Sequence, residues 1–119
     1  MKNFKELRIW QRSHQLVLDV YGITKNFPKE EVYGLTSQMR RSSASIPTNI
    51  AEGCGRNSDA ELCRFLVIAM GSASELEYQL LLSNELNYLQ ISDYKRLNDE
   101  LVEIRKMMNM FIQTLGKSK

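Results

Sequence analysis

The sequence predicts an all-α protein: an antiparallel up-down-up-down four-helix bundle built from residues 1–119 as a single domain. Three observations predict it. Apolar residues recur at three- and four-residue spacing through four segments, and no period-2 segment of useful length occurs. The connections between segments are short, which favours antiparallel neighbours. Two prolines and six glycines in 119 residues are too few to punctuate a loop-rich β protein.

The first helix is expected from Leu7 to Asn26. Ile9, Leu16, Val20, Ile23 and Phe27 share one line, with Trp10, Val17 and Tyr21 beside them, while Arg8, Arg12, Gln15, Asp19 and Asn26 gather opposite. Phe27-Pro28 ends it, because a residue before proline disfavours the α conformation. The second helix is expected from Lys29 or Glu30, since Pro28, Glu30 and Glu31 suit the positive end of a helix dipole. Its inward stripe is Val32, Leu35, Met39, Ser42, Ile46 and Ile50. Between Arg40 and Gly53 this helix loses bulk, which suits backbones that approach closely. Pro47 removes one donor and crowds the Ser43 carbonyl, so a kink is expected near it.

Ser58-Asp59-Ala60-Glu61 matches a capping box and starts the third helix, expected to reach Leu86. Leu62, Phe65, Leu66, Ala69, Ala73, Leu76 and Leu80 form one stripe, yet Val67, Ile68, Met70, Tyr78, Leu81, Leu82 and Leu86 point elsewhere. A helix apolar on several sides is buried on several sides, and one small subunit can hardly hide it. The fourth helix is expected from Ser92 or Asp93 to Leu115, with Leu97, Leu101, Ile104, Met108, Phe111 and Leu115 inward, Gly116 as its cap and residues 117–119 frayed. Helices of roughly 20 to 28 residues give a bundle about 30–40 Å long.

Composition narrows the function. Cys54 and Cys63 are expected as free thiols, and His14 is the only histidine, so no metal or other cofactor is expected. No uninterrupted apolar run approaches the roughly 20 residues that span a bilayer, which predicts a soluble, cytoplasmic protein without a membrane partner. The net charge of +2 is unevenly spread: residues 1–41 carry +4, residues 42–103 carry −6 and residues 104–119 carry +4. Basic ends around an acidic middle are what solvated helix faces produce, and also what a polyanion-binding surface requires.

Two groups of side chains stand out. Arg8, Arg12, Arg105 and Lys106, helped by Lys5 and Lys117, could form a basic stripe if the first and last helices are neighbours. Arg40 and Arg41, with Ser37, Ser42 and Ser43, could hold phosphates, because guanidinium groups pair bidentately with phosphate oxygens. Each group has a plainer alternative in pairing with carboxylates. Pro47, Asn49, Glu52 and Gly53 form a structural motif: Asn49 and Glu52 are expected to satisfy backbone groups freed by the kink, or to pair with Arg40, Arg41 or Arg56. No nucleophile–base pair is present, so no enzymatic activity is expected.

These residues make the chain resemble the 23S rRNA-intervening-sequence family, also labelled S23 ribosomal protein. The resemblance runs from Phe4, Leu7 and Trp10 through Tyr33-Gly34-Leu35, Gln38-Met39-Arg40-Arg41 and the Ser45–Gly53 stretch. It continues through Phe65-Leu66, Ile68-Ala69, Gly71-Ser72 and Glu75-Leu76 to Asn87-Tyr88-Leu89. It implies a homopentameric ring of four-helix bundles with a central opening. Similar accessory proteins of diversity-generating retroelements bind a reverse transcriptase and nucleic acid through a basic pentamer surface, an analogy that implies RNA or DNA as a partner. The expected function is thus a non-enzymatic, ring-forming scaffold or adaptor that binds RNA, DNA or a nucleic-acid-bound protein. The alternative is a protein–protein interaction module using an acidic surface of Glu61, Glu75, Glu77 and Glu85.

Overall fold

The computed structural model describes residues 2–117 and folds them into α1 (Arg8–Thr24), α2 (Leu35–Cys54), α3 (Asp59–Glu85) and α4 (Ile91–Lys117). Each helix packs on the next and α4 closes back on α1, while among the described residues the backbones of the diagonal pairs stay more than 8 Å apart. That is the expected up-down-up-down bundle. It measures 48 × 23 × 20 Å. The extra length comes from α3 and α4, each 27 residues, or about 40 Å at 1.5 Å per residue. The core runs along the bundle axis through Leu16, Val20, Met39, Ile46, Ile50, Leu66, Leu76, Leu80, Leu97, Leu101, Ile104 and Met108, all fully buried. Each such side chain contributes about 1.5–3 kcal/mol relative to leaving it in water.

The second helix starts later than the sequence suggests. Lys29–Glu31 form a single 3-10 turn, and α2 begins at Leu35. The Glu31 carboxylate accepts the Leu35 N–H at 3.1 Å and the Tyr88 hydroxyl at 2.9 Å. It therefore caps a helix that starts four residues after it, instead of sitting in the first turn. A Cβ at Gly34 would stand 2.8 Å from that carboxylate, so glycine leaves the cap its room. Val32 accordingly lies outside α2 and is exposed, not part of an inward stripe.

α2 continues through Pro47 as one helix. Two residues on, the Asn49 side-chain amide donates to the Ser45 carbonyl at 2.8 Å and to its hydroxyl at 2.9 Å. The small residues of α2 make its seam with α3 close. The Ser45 and Ser72 hydroxyls meet at 2.8 Å, and Ser42 donates to Gln79 at 2.6 Å. A Cβ on Gly53 would fall 2.8 Å from Leu62 Cδ1 and 3.0 Å from Phe65 Cβ.

The ends of α3 follow local chemistry. Ser58 accepts the Glu61 N–H at 3.1 Å, but the Glu61 carboxylate turns to Arg64 at 3.2 Å, so half of the capping box forms. At the far end Asn87 takes φ 62°. The Tyr88 N–H then reaches the Ser83 carbonyl at 2.9 Å and the Asn87 N–H reaches Asn84 at 3.0 Å, closing the helix with a left-handed C-terminal cap. α4 passes through Gly116, where a cap was expected, to Lys117; Ser118 and Lys119 lie outside the described residues. By length and composition alone α3 could cross a membrane, with mean hydropathy 1.2 over 18 residues. Counting uninterrupted apolar residues hides this, because Gly71, Ser72 and Ser74 break the run.

Candidate assembly face and basic groove

The proposed basic stripe is divided by its own ion pairs. Arg12 on α1 faces α4, donating to both Glu100 oxygens at 2.9 and 2.6 Å. That hydrogen bond holds its guanidinium above the ordinary value, against a smaller opposing effect of burial. Arg105 faces the other way, pairing with Glu77 on α3. Lys106 lies 3.7 Å from Glu103 in its own helix. Arg8 is exposed and has no ion pair among the described residues. The first and last helices are neighbours, and three of these four cations are engaged by carboxylates of α3 and α4, leaving Arg8 without one among the described residues.

Arg40 and Arg41 behave differently. Arg40 donates to the Thr24 hydroxyl at 2.9 Å and the Tyr21 carbonyl at 3.3 Å, and its guanidinium lies 4.6 Å from the centre of the Tyr21 ring. Arg41 is exposed. Both line a 490 Å³ groove between the end of α1 and the start of α2, together with Lys25, Lys29, Tyr33 and Ser37. Ser42 and Ser43, considered with these arginines as phosphate ligands, are buried in the bundle and bonded there, to Gln79 and to the Arg40 carbonyl. Lys25, Lys29 and Tyr33 were missed from sequence. The available signal was a set of basic residues bracketing hydroxyl-bearing ones on both sides of a helix break.

The structural motif resolves into unequal parts. Pro47 and Gly53 are buried, and Asn49 braces the backbone beside Pro47. Glu52 points outward to Arg56 at 3.2 Å, an exposed pair one turn apart, and such pairs contribute little.

The outer face of α3 is the largest departure from an ordinary surface. Val67, Ile68, Tyr78 and Leu81 are 58%, 42%, 62% and 40% exposed. Between them a Cβ at Gly71 would meet nothing within 4 Å. The apolar pairs thus flank a shallow place where a second helix can come close.

His14 stacks on Trp10, with ring centres 4.9 Å apart and planes within 7°. Burial pushes the Cys54 thiol up, away from thiolate. No group of three or more His, Cys, Asp or Glu among the described residues could hold a metal ion.

The chain matches the family model for 23S rRNA-intervening sequence proteins over residues 5–110. A protein with unknown function from the S23 ribosomal protein family of Bacteroides thetaiotaomicron has a similar crystal structure. The TM-score is 0.79 at 27% identity, covering 87% of this chain and 97% of that one. No curated protein matches the chain. The four-helix architecture and a match spanning most of the sequence agree: the chain belongs to the 23S rRNA-intervening sequence protein family.

Proposed function

We propose that the protein is a cytoplasmic, non-enzymatic scaffold that assembles with copies of itself and presents basic surface to RNA, DNA or a protein carrying them. The observation that carries this reading is the outer face of α3, where Val67, Ile68, Tyr78 and Leu81 remain in water in a single protomer. Exposed apolar side chains gathered on one helix face are characteristic of interaction sites, and Gly71 and Ser74 between the two pairs let a neighbouring backbone approach them. The family resemblance supplies five as the number of copies. Repeating a weak basic patch in every copy raises avidity without a strong individual site. The acidic alternative has less support: Glu61 and Glu77 pair with Arg64 and Arg105, and Glu75 accepts from Gln79 at 3.3 Å.

Light scattering of the purified chain at micromolar concentration tests the assembly. A mass of several protomers is expected, and Val67→Asp/Leu81→Asp should reduce it to one while leaving the helical signal intact. A folded single subunit for the wild-type chain overturns the proposal.

A further inference from the structure

No carboxylate lines the α1–α2 groove, although Arg41 also borders a second pocket that includes Glu75 and the exposed Glu30 follows Lys29 in sequence. Five of the eight arginines, Arg12, Arg56, Arg64, Arg96 and Arg105, have a carboxylate within 3.4 Å. Two of the other three, Arg40 and Arg41, line the groove with Lys25 and Lys29, and no acidic side chain lines it. Among the described residues none of these four cations has an ion-pair partner. Glu31, nearby in sequence, is committed to the Leu35 amide and the Tyr88 hydroxyl. Arg40 is informative because it is fixed entirely by neutral groups: a hydroxyl, a carbonyl and an aromatic face. A guanidinium oriented in this way keeps its full charge and its remaining donors for an outside anion.

We propose that this groove holds the phosphodiester backbone of a single-stranded nucleic acid, with the Tyr33 ring stacking on one of its bases. The inference rests on the nucleic-acid part of the proposed function and is independent of the assembly part. Four cations and the Ser37 hydroxyl suit phosphate oxygens. Tyr33 is 97% exposed and beside them, which suits a base with a free face. Only single strands offer such bases, since duplex bases are stacked and paired. A volume of 490 Å³ falls within the roughly 300–1,000 Å³ of ligand clefts.

The test is fluorescence anisotropy of the full chain with a labelled single-stranded oligouridylate, titrated at several salt concentrations. Lys29→Ala/Arg41→Ala should weaken binding at least about tenfold and flatten the salt slope by about 1.4, at about 0.7 for each phosphate contact. Tyr33→Ala should weaken it at least about fivefold. Arg56→Ala/Arg64→Ala removes equal charge at the opposite pole and should leave affinity within about twofold. If the groove variants bind as wild type does, or this control weakens equally, the groove assignment is overturned while nucleic-acid binding stands. If the wild-type chain binds no oligonucleotide at low salt, both are overturned. Preferential binding of a phosphopeptide, or a changed solution mass for Lys29→Ala/Arg41→Ala, also overturns the assignment, because the groove then serves a protein ligand or a second subunit.

Discussion

α3 and α4 are equally long, yet they solve different problems. α4 is amphipathic: Leu97, Leu101, Ile104, Met108 and Leu115 are buried while its outer face carries Lys95, Arg96, Asp99, Glu103 and Lys106. Its exposed large apolar side chains, Ile91 and Met110, stand far apart along the helix and form no second face. α3 buries Leu62, Leu66, Ala69, Ala73, Leu76 and Leu80 against its neighbours, then shows a second apolar face to water. Hydrophobic content alone does not distinguish a core helix from an interface helix. The distinction is whether the apolar residues fit within the arc that neighbours in the same chain can cover.

Substitutions can break or sharpen this contrast. The largest effect is expected from Leu101→Ala in α4, which should cost about 2–5 kcal/mol by opening a cavity. Leu81→Asp on α3 should instead abolish the dependence of melting temperature on protein concentration. Equal, concentration-independent losses at both positions in thermal melts would erase the contrast. Next comes the side of α3 that α2 covers. Gly53→Ala should cost about 1–3 kcal/mol by overpacking against Leu62 and Phe65, measured by denaturant unfolding; wild-type stability would mean the seam yields easily.

A smaller effect is expected where α3 turns into α4. The hydrogen bond that Tyr88 donates to Glu31, with burial second, holds its phenol above the ordinary 10.0. A raised value in the folded state means this contribution is present below pH 10.0 and lost as the pH rises through the raised value. Tyr88→Phe should flatten that alkaline fall in melting temperature, and an unchanged profile would show that the bond contributes nothing. The smallest effect belongs to Glu52→Ala. Removing an exposed pair with Arg56 should change stability by about 0.5 kcal/mol or less, and a loss above about 1 kcal/mol in the same denaturant assay would place Glu52 in a contact between subunits.

What the sequence revealed depended on how local the governing physics was. The α3 start was legible because Ser58 needs only the Glu61 amide three residues away. The surplus on α3 was legible because periodicity counts faces without knowing the neighbours. The α2 start was misplaced because Glu31 serves two masters, the Leu35 amide and a Tyr88 hydroxyl 57 residues later. The ion pairs within the basic stripe were hidden for a related reason: helix adjacency does not say that Arg12 will take Glu100 and Arg105 will take Glu77. In the groove, Arg40 and Arg41 were visible as charges. Their lack of carboxylate partners, and the nearness of Lys25 and Lys29 across the helix break, are tertiary facts.

The Lys2 N–H donates to the Cys54 carbonyl at 3.0 Å, and Ile112 lies beside Cys63 at the same pole. The start of the chain and the end of α4 therefore sit together, at the opposite end of a 48 Å molecule from Lys29 and Tyr33. A fluorophore or cross-linker attached at Lys2 or Lys117 will hang from that pole, leaving the Lys29 and Tyr33 end free for labelled binding assays.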